Sequence, residues 1–305
     1  MRALAEWIMR GRTQAVIATV ALLSLPLIFV QADIGNVQVM LDMLATVMVA
    51  FGAAAVGLVT LRQGPGAGIV PLLWGIIPAL LWLTWLGEAS PLVILLGVLL
   101  AATVLRQTVS WAQTLALATI AGLVAAQVVE LFAPGAVTAI GDMAERFVSA
   151  LAEQQPQSAE LVNADMLREL LLGGLVAGHI GSTLMSLALA RWWQALLYNP
   201  GGFREEFHQL RLGPLFAGGF ILVMVLGVGV TEGAFRWLPV LILPFMIAGV
   251  ALVHAVVAKR ELGRSWLIAF YTGAFVAGPY LISLLILLAV ADSFLHIRKR
   301  IPART

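Results

Sequence analysis

The side chains able to do chemistry in this chain are few, and most stand alone. Histidine occurs at four positions, cysteine at none, and charged residues make up 11% of the 305 residues. Without cysteine there is no thiolate nucleophile, no disulfide and no thiolate-ligated metal. His179 is the best placed of the remaining groups. It lies in Gly173-Gly-Leu-Val-Ala-Gly-His-Ile-Gly-Ser-Thr183, where glycines let a helix or a ligand come close to the backbone and Ser182 and Thr183 add hydroxyls. Asp42 and Glu130 are carboxylates set within, or at the edge of, other apolar runs, where charge is costly enough to mark a functional candidate. His179, Ser182, Thr183, Asp42 and Glu130 therefore form a candidate polar pocket. The plainer alternative for His179 is a neutral imidazole bonded across a helix interface, and His254 reads the same way.

Recognised catalytic arrangements do not appear. The sequence contains no Gly-x-Ser-x-Gly elbow, no His-Glu-x-x-His pair and no phosphate-binding glycine loop. Glu205 and His208 have the i, i+3 spacing of one arm of a carboxylate-bridged metal site, but a second arm is missing. The expectation is a protein that is not an enzyme and carries neither metal nor cofactor.

The elements that hold these side chains are hydrophobic almost throughout. Apolar residues are 61% of the chain and the mean hydropathy is +0.98, values that belong to a chain solvated by lipid rather than water. The net charge of +2 is too small for a nucleic-acid surface. Taking roughly 20 apolar residues per crossing, the pattern predicts an all-α polytopic transmembrane helix bundle of about nine spans. They fall near 14–31, 37–61, 67–87, 90–106, 109–133, 168–198, 214–231, 236–258 and 265–292. The breaks have identifiable causes: the polar turn Gln31-Ala-Asp-Ile-Gly-Asn36, the run Arg62-Gln-Gly-Pro-Gly-Ala-Gly68, and Gly87-Glu-Ala-Ser-Pro91 with proline in the next first turn. The first apolar run is longer than a signal-peptide core and is followed by further spans, which favours an uncleaved helix.

Basic residues set the orientation. Arg2, Arg10, Arg12, Arg62, Arg106, Arg191, Arg204, Arg211, Lys259, Arg260 and Arg264 share one side if the spans alternate, while Asp33, Glu88 and the acidic loop 134–167 share the other. The positive-inside rule then places the N-terminus in the cytoplasm and the protein in a bacterial cytoplasmic (inner) membrane. The basic tail Ile297-Arg-Lys-Arg-Ile-Pro-Ala-Arg-Thr305 conflicts with nine crossings. Either 265–292 is a hairpin broken near Gly278-Pro279, or it is one long tilted helix and the tail is an exception; the helix length favours the second. In the loop 134–167, Met143, Phe147 and Leu151 recur at helical spacing and predict a short amphipathic helix on the outer face.

One polar island interrupts the spans, residues 191–211. Arg191, Trp192 and Trp193 read as an interfacial anchor, Asn199-Pro200 stops the helix, and Gly201-Gly202 reverses the chain. Phe203, Phe207 and Leu210 then fall at i, i+4 and i+7, with Arg204 and Arg211 on other faces, so 199–213 is expected to be a cytoplasmic interfacial segment. It either covers the bundle or docks a membrane or cytosolic protein partner. Ala50, Ala53, Ala54 and Gly57 are small residues clustered on the second span, suited to close helix packing.

The segments Val56-Gly-Leu-Val-Thr-Leu-Arg-Gln-Gly64, Trp266-Leu-Ile-Ala-Phe-Tyr271 and Asp292-Ser-Phe-Leu-His-Ile-Arg-Lys-Arg300 resemble the YybS-like family of bacterial multi-pass membrane proteins, a domain of unknown function. That family is distantly similar to the substrate-capture subunits of energy-coupling-factor vitamin importers. The resemblance implies a helical membrane subunit that binds a small molecule and docks on a coupling partner, and it implies no catalytic residue. Two functions are thus expected: a small-solute-binding membrane subunit of a transporter, with its cavity toward the acidic outer loop, or an accessory scaffold that docks partners through its cytoplasmic face. The lipid bilayer is the common partner of both.

Overall fold

The computed structural model describes residues 1–30, 35–132, 134–155, 157, 162–228 and 232–301. Asp33, most of the turn 31–36, part of the loop 134–167 and the tail end 302–305 lie outside the described residues. Contacts divide the chain into two compact units, residues 1–114 with 179–205, and residues 115–178 with 206–305. All regular structure among the described residues is helical.

The first unit contains α1 (Arg2–Ile8), α2 (Arg12–Ser24), α3 (Gln38–Gln63), α4 (Pro65–Leu86), α5 (Ser90–Thr108) and the start of α6 (Trp111–Phe132), with residues 179–198 of a long later helix, α8 (Ala164–Tyr198). Helix α3 is its centre. From Gly52 to Leu61 every residue is buried, as expected of a helix that is apolar on all faces. Its small residues are spent on this packing: Ala53 and Ala54 are fully buried, and Gly57 receives Ala190 of α8 and Val98 of α5 so closely that a Cβ would stand 2.9 Å from each. Pro26 tightens the end of α2 into a 3₁₀ turn, Leu25–Ile28, and supplies no N–H. The Trp82 indole of α4 donates instead to the Leu23 carbonyl at 2.8 Å, which ties α4 to α2 at the kink.

The second unit contains most of α6, then α7 (Pro134–Gln154), the first half of α8, the end of α9 (Gly202–Gln209), α10 (Pro214–Val228), α11 (Leu238–Lys259), α12 (Arg264–Val276), α13 (Gly278–Leu295) and α14 (Ile297–Arg300). Its spine is α11. Phe245, fully buried, meets the rings of Phe220 and Phe216 from α10 at 4.3 and 5.7 Å. On another face Gly249 admits the backbone of α13 at Leu285.

Among the described residues, seven helices are long and apolar enough to cross a membrane, eight if the pair α9 and α10, bent by 53°, counts as one. Their outward faces are apolar: Phe275 and Leu215 are 93% and 91% exposed, which water would penalise and lipid does not. The expected nine is not confirmed, and the difference lies at three places. The first run forms an apolar helix over Arg12–Ile28, kinked at Pro26 and shorter than any of the seven. Residues 214–231 yield a 15-residue helix that reaches span length only with α9. Residues 265–292 are not one tilted helix: Ala277 leaves helical geometry and Pro279 begins a new helix. The loop 134–167 carries a helix of 21 residues, longer than its short amphipathic stripe implied.

The break at Ala277 is the one that the hairpin alternative called for. Lys259, at the end of α11, donates to the carbonyl of Arg298 at 2.8 Å, so α11 and α13 finish at the same end. Helix α12 climbs back alongside α11, with Tyr271 bonded to His254 at 2.8 Å, and α13 descends again. The pair is a hairpin whose two ends, Arg264 and Leu295, lie at one level. At 1.5 Å per residue its arms are roughly 20 and 27 Å long.

The Gly249 contact is testable. A Cβ there would lie 2.6 Å from the Leu285 carbonyl oxygen, a backbone atom that cannot swing aside. Gly249→Val is expected to cost on the order of 1–3 kcal/mol, read as a lower thermal midpoint in detergent. Gly219→Ala, at a position with open space around it, should leave the midpoint unchanged or slightly raised.

Candidate functional site

The second unit holds its charge at the two ends of α11. Immediately before the helix, the 3₁₀ turn Glu232–Trp237 carries Arg236, buried to 7% exposure. Its guanidinium grips Glu169 of α8 in bidentate fashion, Nε to Oε2 at 2.7 Å and Nη2 to Oε1 at 2.8 Å. The same Nη2 donates to Glu130 Oε1 of α6 at 2.7 Å, and Nη1 to the Ala126 carbonyl at 3.2 Å. Arg168 completes the network from the edge, donating to Glu130 at 3.0 Å and to Glu169 at 2.8 Å. Two arginines thus balance two carboxylates, which is what makes such burial tolerable in an apolar bundle. One turn beyond Glu169, Gly173 lets α8 approach the Arg236 backbone: a Cβ would fall 2.1 Å from its carbonyl oxygen.

At the other end of α11 lies a cavity of about 670 Å³. The end of α9 contributes His208, α11 contributes Lys259, and Arg211 comes from the loop between α9 and α10. Asp292 lies in the last turn of α13, and His296, with φ of +53°, turns the chain so that Arg298 and Lys299 of α14 line the same cavity. Arg298 Nη1 donates to the His208 carbonyl at 2.7 Å, and its Nε lies 3.2 Å from Asp292 Oδ2. Burial pushes the Arg298 guanidinium below its usual pKa; Asp292 opposes that shift and the like charge of Arg211 adds to it. An arginine remains protonated throughout the physiological range, so these contacts describe a fixed cation.

The residues expected to share one polar pocket are distributed over separate clusters. Asp42 accepts from Gln38 at 2.8 Å near the start of α3. His179 Nε2 lies 2.7 Å from Ser90 Oγ, and Ser90 also bonds Glu88. Thr183 is buried, packed so that a Cβ on Gly97 of α5 would meet its hydroxyl at 2.8 Å; Ser182 accepts the Ser186 hydroxyl at its carbonyl. Glu130 belongs to the arginine network of the second unit. Each of these groups thus has a partner of its own: Asp42 and Ser182 bond within their own helices, His179 bonds across to α5, and Glu130 bonds the two arginines.

The expected docking stripe is likewise turned inward. Phe203 packs on Trp111 with ring centroids 6.0 Å apart, Phe207 packs edge-on against His254 at 5.6 Å, and Leu210 is 4% exposed. The stripe covers the protein's own helices, and Arg204 and Glu205 are what α9 presents outward. Arg236, Glu169, Arg298 and Asp292 escaped the sequence reading. A lone arginine between Phe235 and Trp237 at the start of an apolar run was the available signal, since it stands on the acidic side of the charge pattern.

Removing one member of the buried pair is the informative perturbation. Arg236→Met leaves Glu169 charged and short of its bidentate partner, and is expected to cost about 3–5 kcal/mol in denaturant unfolding. Arg236→Met with Glu169→Leu should recover much of that loss. Arg236→Lys should fall between, because an ammonium cannot grip both oxygens in one plane.

In comparisons with known proteins, no family model, no curated protein and no solved structure matches this chain.

Proposed function

We propose that the chain is a multi-pass protein of the bacterial cytoplasmic membrane, with a cytoplasmic N-terminus, that serves as the small-solute-binding subunit of a transporter. The observation that supports this reading is the placement of charge along α11. A neutral network of Arg236, Glu169, Glu130 and Arg168 lies at its beginning, and a cation-lined cavity of about 670 Å³ lies at its end. A bundle that only had to stay folded would be served equally well by apolar residues at both places. Polar contacts can be exchanged for water or solute at little net cost, which suits an element that must open.

The hairpin of α12 and α13 agrees with the orientation. It brings Arg211, Lys259, Arg298 and Lys299 to one end of the unit, the arrangement expected of a cytoplasmic face. The scaffold alternative loses its best support with the inward turn of Phe203, Phe207 and Leu210. The resemblance to the YybS-like family, and through it to importer capture subunits, points the same way as the solute reading.

The test uses the full-length protein in detergent. A panel of small metabolites and vitamins should contain at least one that raises the thermal midpoint, and affinity purification should recover a coupling ATPase. A flat panel together with recovery of non-ATPase partners alone would overturn the proposal.

A further inference from the structure

The cavity at the end of α11 contains a mismatch that its own walls do not resolve. Arg298 is anchored by Nη1 on the His208 carbonyl, yet its Nε–H, though near Asp292, forms no hydrogen bond. Beside it Asp292 is 1% exposed, and its Oδ1 is buried with no donor. One wall thus presents an unspent donor and an unspent acceptor together. Buried polar atoms in folded proteins are nearly always satisfied, by protein, water or ligand. Arg211 lines the same cavity and makes no hydrogen bond or ion pair among the described residues. Lys259 and Lys299 bring the cationic lining to four against a single carboxylate.

Each part of this arrangement restricts the occupant. Two guanidiniums facing one space repel unless an anion lies between them, and guanidinium donors match the oxygens of a tetrahedral oxyanion. An anion without a proton would also meet the Asp292 carboxylate and be repelled. An anion bearing an O–H would satisfy Oδ1 as donor while its other oxygens accept from arginine. The volume of about 670 Å³ exceeds a bare tetrahedral ion and leaves room for an organic remainder.

We propose that this cavity binds a phosphate group that carries, or is flanked by, an O–H donor, with Arg298 and Arg211 holding the oxyanion and Asp292 accepting from the hydroxyl. A free phosphomonoester and a hydroxylated anionic lipid headgroup both have this chemistry. The assignment stands whether or not the protein transports a solute.

Thermal midpoints of the full-length protein in detergent are measured against inorganic phosphate, glycerol phosphate and sulfate at matched ionic strength near neutral pH. A parallel series uses nanodiscs of phosphatidylcholine with and without phosphatidylglycerol. Stabilisation by the soluble phosphates assigns the site to a solute, and stabilisation confined to phosphatidylglycerol assigns it to a headgroup. In the first case sulfate should be weaker by about tenfold or more, the scale of one charge-assisted hydrogen bond replaced by repulsion. Arg298 also holds backbone carbonyls, so the test variant is R211Q/K299Q. It should weaken the response about tenfold while leaving the unliganded midpoint unchanged. D292N should bring sulfate level with phosphate. No response to any phosphate probe or to phosphatidylglycerol overturns the proposal, as does sulfate equal to phosphate in the unmodified protein. A wild-type response from R211Q/K299Q overturns it too.

Discussion

The second unit depends on one guanidinium. Arg236 is the point where α6, α8 and the turn into α11 meet, and it is held by ionic bonds rather than by shape. In an apolar bundle the cost of such a group is set by its partners. Paired with Glu169 in bidentate fashion and with Glu130 and a carbonyl besides, it is tolerable; without Glu169 it loses the carboxylate that grips it in one plane. The constraint spreads outward. Gly173 must lack a side chain so that α8 can come close enough for Glu169 to reach, and Arg168 must follow directly before Glu169 to balance the second carboxylate. A single buried cation thereby fixes the identity of residues on three segments.

The helical character was legible because it rests on local properties. Hydropathy fixes which stretches are apolar, and Gly64-Pro65 and Gly87 through Pro91 mark helix ends by backbone geometry alone. Less legible were features that depend on what a residue meets. Phe203, Phe207 and Leu210 have the spacing of a docking face, but an amphipathic stripe fits an internal groove equally well, and here Trp111 and His254 provide it. His179, Asp42 and Glu130 were correctly seen as polar groups in apolar helices; which of them share a space depends on helix neighbours far apart in sequence. Arg236 lies 67 residues from Glu169 and 106 from Glu130, and no local pattern joins them.

The C-terminal region shows a different balance. The sequence contained a contradiction, a basic tail on the wrong side of an odd number of crossings, and it also contained the resolution at Gly278-Pro279. Helix length argued for a single span, whereas proline without an N–H and a preceding residue forced out of helical geometry favoured a break. The backbone penalty prevailed, and α12 and α13 are separate arms.

The ionic network also bears on how the chain is made. Glu130 emerges 106 residues before Arg236, and at the roughly 5–20 residues per second of synthesis it waits about 5–20 s for that partner. Arg168 follows it by only 38 residues and is the earlier made of its two arginine partners. Arg168 therefore gives Glu130 and Glu169 a cationic partner that is already made when Arg236 emerges. The outer arginine of the network is thus the member whose place in the chain spans the interval between Glu130 and the inner arginine.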